Sequence, residues 1–91
     1  MRAVHVIVTG RVQGVGYRMW TENEALRRGL SGWVRNRRDG SVEAVFAGED
    51  AEVTAMLAAL WSGPRGSRVE DVSRDDYAGE IPSGFTVLTT G

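Results

Sequence analysis

Ninety-one residues, 42% of them apolar and 25% charged, lead us to expect one domain with a single small core, of ordinary globular composition. A net charge of −1 offers no basic surface for nucleic acid or an anionic membrane, and no stretch approaches membrane-spanning length. Cysteine is absent, which excludes disulfides and thiolate chemistry, and Met1-Arg2 runs into strand-like sequence with no export signal, so the cytoplasm is the expected compartment.

Ala3 to Thr9 alternates as a first strand, with Val4, Val6 and Val8 on the inward face and His5 and Ile7 on the other. It runs into Gly10-Arg11-Val12-Gln13-Gly14-Val15-Gly16-Tyr17-Arg18, after which Met19 to Arg28 favours a helix. Three glycines at a strand-to-helix junction let successive backbone N–H groups turn inward, and the helix adds its free N–H groups and positive dipole end. Arg18 at the helix start can present a planar, two-pronged donor to phosphate or carboxylate oxygens. The segment therefore reads as a phosphate cradle.

Gly29 suits a helix stop. Strands follow at about Ser31 to Arg37 and Ser41 to Ala47, joined through Asp39-Gly40, a strong hairpin signal. Gly32, Val34 and Asn36 share one face by the period-two rule, so Asn36 continues the apolar face where helices should cover it. Glu49-Asp50 opens a second helix at its favourable acidic end, and Val53, Met56, Leu57, Leu60 and Trp61 form its apolar stripe. Ser62 to Ser67 is a loop, and Val69 and Val72 mark a fourth strand from about Arg68 to Asp75. Phe85 and Val87, with Thr89 as the outermost candidate, mark a last short strand.

The order βαββαβ is the split unit of ferredoxin-like folds. The expected class is α+β, an α/β sandwich with a short additional C-terminal strand. Its antiparallel sheet should carry two helices on one face, with Val6, Val8, Val34, Val42, Phe46, Leu57 and Leu60 buried between the layers.

The better-known phosphate loops do not fit. A Walker A loop needs Gly-Lys-Ser/Thr, and this chain has no lysine: all eleven basic residues are arginine. The dinucleotide fingerprint fails because Met19 stands where its last glycine belongs. A cysteine-based phosphatase loop would place its nucleophile near Val12, which cannot attack. Hydrolysis at this loop would require direct attack by water, held by some other group.

The loop Gly10 to Arg18, the segment Gly29-Leu30-Ser31-Gly32-Trp33-Val34-Arg35-Asn36 and the Asp39-Gly40 hairpin closely resemble the acylphosphatases. The resemblance runs from about Val4 to the C-terminal strand and rests on two motifs at the family's own separation. It implies an enzyme, a single domain over residues 1–91, that hydrolyses the mixed anhydride of a carboxylic acid and phosphate. Carried over by position, Arg18 binds the phosphoryl group, Asn36 orients the water, and Gln13, Gly14, Val15, Gly16 and Tyr17 form the cradle. Gly16 departs from the larger residue that the family often has there, which leaves room and flexibility in the loop.

The chemistry agrees with what the sequence lacks. An acyl phosphate leaves as a carboxylate whose conjugate acid has a pKa of about 4, so no general acid is required. Phosphoryl transfer passes through a loose transition state in which positioning and electrostatics do most of the catalysis. No cofactor and no metal are expected. Inorganic phosphate or sulfate should compete for the cradle, and the expected form is a monomer that engages a small-molecule acyl phosphate and neither nucleic acid nor membrane.

Other residues have plainer readings. His5 is a sheet-face histidine with no acid near it in sequence, and Arg35, Arg37 and Arg38 form a solvated hairpin edge. Trp33 alternates away from the core, while Trp61 belongs to the core stripe. Glu70-Asp71 and Asp75-Asp76 are irregularly spaced surface acids. Two rival functions remain. A non-catalytic module could hold phosphate or carbamoyl phosphate in the same loop, but would not require Asn36. An RNA-binding module shares the fold but needs a basic, aromatic sheet face. Nothing in the sequence marks a pocket for the acyl group.

Overall fold

Strand β1 (Arg2–Arg11) buries Val4, Val6 and Val8 on one side and leaves His5 and Ile7 half-buried on the other, so its alternation divides the molecule into two layers. The computed structural model describes residues 1–91. After β1 come α1 (Tyr17–Arg27), β2 (Ser31–Asn36), β3 (Val42–Gly48), α2 (Asp50–Leu60), β4 (Arg68–Asp76) and β5 (Phe85–Val87). The sheet order is β4-β1-β3-β2-β5. Both helices cover the face that carries Val4, Val6, Val8, Val34, Val42 and Phe46, to which α1 contributes Tyr17 and Ala25 and α2 contributes Val53, Met56, Leu57 and Leu60. All seven residues expected in the core are buried. Truncating one of the larger of them to alanine should cost about 2–5 kcal/mol, because so small a core cannot collapse around the hole.

The β1–β3, β1–β4 and β2–β3 ladders are antiparallel, as the βαββαβ order requires. The fifth strand corrects the expectation of a wholly antiparallel sheet: β5 runs parallel to β2, with Gly32, Val34 and Val87 among the register partners. The reason lies in the path of the chain. Strand β4 is one edge of the sheet and β5 the other, and β4 finishes at the end of the sheet where β2 begins. A connection across that end can only send β5 back alongside β2 in the same direction. Beyond β5 the chain stays beside β2, with Leu88 N–H donating to Val34 and Gly91 N–H to Asn36.

Two further details differ from the simple alternation. Val69 and Val72 are three residues apart, odd for one face of a strand, and a β-bulge reconciles them: Thr9 pairs with Asp71 while Gly10 pairs with Val69, leaving Glu70 extra. The bulge brings β4 so close that a Cβ on Gly10 would lie 2.2 Å from the Arg68 carbonyl oxygen, so only glycine fits where the sheet hands over to the cradle. Trp61, expected in the core stripe, is 51% exposed. It is the C-cap residue of α2, about 100° around the axis from Leu60, where no neighbouring element covers it.

Candidate active site

The cradle lies at the end of the sheet where β1 and β2 finish and α1 starts. Gly14 and Gly16 adopt left-handed backbone (φ 74° and 79°), and Gly16 is the N-cap of α1 with no side-chain cap. Alternation of left-handed with ordinary backbone turns successive N–H groups to the same side. From Gln13 through Met19 no backbone N–H donates to a protein acceptor; the first amide of α1 that does is that of Trp20, which bonds the Gly16 carbonyl at 3.0 Å. A row of unused donors at the positive end of a helix is what an anion-binding loop requires. Gly16, open to space on its Cβ side, still fixes one of the two left-handed turns and so shapes the loop rather than merely loosening it.

The side chains of the cradle divide by role. Arg18 lines the cavity and makes no ion pair or side-chain hydrogen bond within the protein. Tyr17 turns the other way: its ring is buried against Trp20 and its hydroxyl donates to the Leu60 carbonyl at 2.6 Å. Burial pushes the phenol well above its ordinary pKa, so it stays a donor, and only its backbone N–H belongs to the cradle. Val15 packs on the core. The Gln13 amide donates to the Arg37 and Ser41 carbonyls, both at 2.8 Å, and thereby ties the loop to the β2–β3 hairpin. The Gln13 side chain thus braces the loop through its Nε2, while Gln13 also lines the cavity.

The hairpin delivers Asn36. Asp39 accepts from both the hydroxyl and the N–H of Ser41, which hold its carboxyl below the usual carboxylate range and lock the turn. Asn36 is then fixed from both sides, by its register partner Val42 on β3 and by Gly91 N–H on its carbonyl. Its side chain reaches the cavity that Gly14, Gly16 and Arg18 also line. The Asn36 Oδ1 atom is buried without a hydrogen-bond partner, and its Nδ2 makes no protein bond either. An idle amide in such a place costs on the order of 1–3 kcal/mol, so its presence calls for an explanation beyond packing. The loop and Asn36, eighteen residues apart in sequence beyond Arg18, thus meet in one cavity of about 660 Å³.

The cavity also has walls that the sequence reading missed. Met19 and Glu22 from α1 and Phe85, Thr86 and Val87 from β5 line it. Glu22 follows Arg18 by four residues, one helical turn, a spacing that could have drawn attention to it. The β5 residues carried no such signal, because their place beside β2 depends on the parallel pairing.

Away from this cavity, the sheet face opposite the helices gathers His5, Arg35, Glu43, Trp33 and Tyr77. His5 meets Glu43 at 2.6 Å, and Arg35 Nε donates to the other Glu43 oxygen at 2.7 Å. Arg35 lies over the Trp33 ring, 5.4 Å from its centroid, and the His5 ring stacks on Tyr77. Partial burial works to raise the Glu43 pKa, but the hydrogen bonds and charges of His5 and Arg35 outweigh it and hold the carboxyl below its ordinary value. The acid that His5 lacked in sequence lies thirty-eight residues away and is brought to it by the β1–β3 ladder.

A family model described as acylphosphatase matches residues 4–87. The chain is 57% identical over 88 residues to an acylphosphatase of Mesorhizobium japonicum, covering 96% of this chain and 94% of that one. It is 52% identical over 87 residues to an acylphosphatase of Rhizobium meliloti, covering 94% and 92% of the two chains. The crystal structure of acylphosphatase from Bacillus subtilis superposes with a TM-score of 0.92 at 37% identity, covering 97% of this chain and 99% of that one. With the strand–cradle–helix junction and the hairpin asparagine in one cavity, and with the match running through nearly every residue, the chain belongs to the acylphosphatase family, hydrolases of acyl phosphates.

Proposed function

We propose that the phosphoryl group of an acyl phosphate is held by the backbone N–H groups of the Gln13–Met19 segment together with the Arg18 guanidinium, and that a water oriented by Asn36 attacks it directly. The observation that carries this reading is the convergence, in one cavity, of unused donors and the uncommitted Asn36 amide. The donors neutralise charge on the three non-bridging oxygens, which the loose transition state spreads among them. The water forms the new P–O bond as the bond from phosphorus to the acyl oxygen breaks. The electron pair leaves on a carboxylate that needs no proton, and the proton of the attacking water passes to the product phosphate or to solvent.

In this reading Gly14, Val15, Gly16 and Tyr17 serve through their backbone, and Gln13 through its backbone and through the tie to the hairpin. Residues 1–91 work as one domain and a monomer, in the cytoplasm, with no metal or other cofactor. Acetyl phosphate or benzoyl phosphate, incubated with the protein and a strong chelator, should release inorganic phosphate at an enzyme-dependent rate. Added phosphate or sulfate should inhibit competitively. Activity that vanishes with the chelator and returns with one divalent metal would refute this mechanism.

A further inference from the structure

The cavity is too large for a phosphoryl group alone. Its volume of about 660 Å³ lies in the range of roughly 300–1,000 Å³ that holds whole small-molecule ligands. One end is the cradle. Beyond it the lining is Met19 and Glu22 on α1 and Phe85, Thr86 and Val87 on β5. Met19 is 68% exposed and Val87 39%, so the cavity is edged by apolar surface open to solvent. Exposed apolar side chains that rim a polar site are a common mark of ligand contact. Among these residues stands a single charge, Glu22. It makes no ion pair in the protein, Arg18 one turn away included.

From this juxtaposition we infer that Glu22, with Met19, Phe85 and Val87, forms an acyl subsite that admits uncharged apolar acyl groups and repels acyl groups bearing a second negative charge. The inference rests on the proposed acyl phosphate hydrolysis, since the phosphoryl group in the cradle is what directs the acyl end along this wall. The physical basis is asymmetric. The apolar surface favours alkyl or aryl groups by removing them from water. A distal carboxylate would lose part of its hydration and meet a like charge with no cation of the wall to balance it. Glu22 therefore acts on specificity and takes no part in the bond-breaking step.

The test compares butyryl phosphate with succinyl phosphate, whose acyl groups are of similar length and end in a methyl and a carboxylate respectively. Wild type should favour butyryl phosphate in kcat/KM. Glu22→Gln should raise kcat/KM for succinyl phosphate relative to that for butyryl phosphate by roughly three- to tenfold, the scale of one like-charge pair in a half-exposed site. Val87→Ser, at a position outside the cradle, should lower kcat/KM for butyryl phosphate while leaving inhibition by inorganic phosphate as in wild type. An unchanged ratio of the two substrates in Glu22→Gln would overturn the subsite. So would an equal change in both substrates and in phosphate inhibition, which would assign Glu22 to Arg18 and the cradle. Wild type that hydrolysed neither substrate would instead be a failure of the proposed function itself, distinct from either result.

Discussion

The cradle end and the open sheet face both concentrate polar and charged side chains, and they differ in what those groups have left to offer. On the open face Glu43 spends both carboxylate oxygens, one on His5 and one on Arg35, while Arg35 and His5 lie against Trp33 and Tyr77. In the cavity the N–H groups of residues 13–19, the Arg18 guanidinium and the Asn36 amide have no partner in the protein. A satisfied cluster stabilises the fold. An unsatisfied one, held rigidly at some cost, is prepared for a ligand. Titratable residues alone would have pointed to the wrong face, since the only histidine sits in the satisfied cluster.

Substitutions at the two regions can break this contrast, and Arg18 should give the largest effect. Arg18→Ala should abolish measurable turnover and weaken inorganic phosphate inhibition together, because in the proposed mechanism one guanidinium serves ground and transition states alike. Arg18→Lys should restore little, since an ammonium cannot make the planar two-pronged contact. An active Arg18→Ala would move the phosphoryl site elsewhere.

Asn36→Ala should lower kcat by roughly 10²-fold or more, the loss typical of one preorganised polar group, with phosphate inhibition close to wild type. Steady-state kinetics with phosphate as inhibitor separates the two effects. Collapse of phosphate affinity in Asn36→Ala would make Asn36 a ligand or a structural residue instead.

Gln13→Ala sharpens the comparison, because Gln13 is the one amide of the cradle already committed to the protein. Its two hydrogen bonds link loop and hairpin, so the variant should lose about 1–3 kcal/mol of stability in denaturant unfolding. It should also lose roughly tenfold in kcat/KM, as the cradle and the Asn36 amide drift apart. Retained kinetics at lowered stability would make the tie purely structural.

The smallest expected effect lies on the open face. Glu43→Gln should leave kcat/KM at the wild-type value and lower stability by about 1 kcal/mol at neutral pH. The sign of the pH dependence follows from the lowered Glu43 pKa. The folded state favours the carboxylate more than the unfolded state does, so this stabilisation is present above the ordinary glutamate range and is lost as pH falls through the folded-state value. Denaturant midpoints of wild type and Glu43→Gln should therefore converge as the pH is lowered. Midpoints that kept their separation under acid conditions would show that the ion pairs are not its source.

The sequence by itself determined most of this protein. Period-two valines, a Gly-rich strand-to-helix junction and an Asp-Gly turn are local signals, and local backbone chemistry suffices to specify β1, the cradle and the β2–β3 hairpin. Parity along β2 likewise put Asn36 on the helix-covered face, and the family resemblance implied a part for it in the site. What only the tertiary structure decided depends on contacts between distant segments. The parallel direction of β5 follows from a connection across the whole sheet, and with it came the Phe85–Val87 wall of the cavity. The exposure of Trp61 follows from what fails to cover the end of α2, which no periodicity within the helix records. The division of the cradle into open N–H groups, a buried tyrosine ring and a glutamine strut required Leu60, Arg37 and Ser41 to be in place, because a side chain's role is set by the partners that the fold brings within hydrogen-bonding reach.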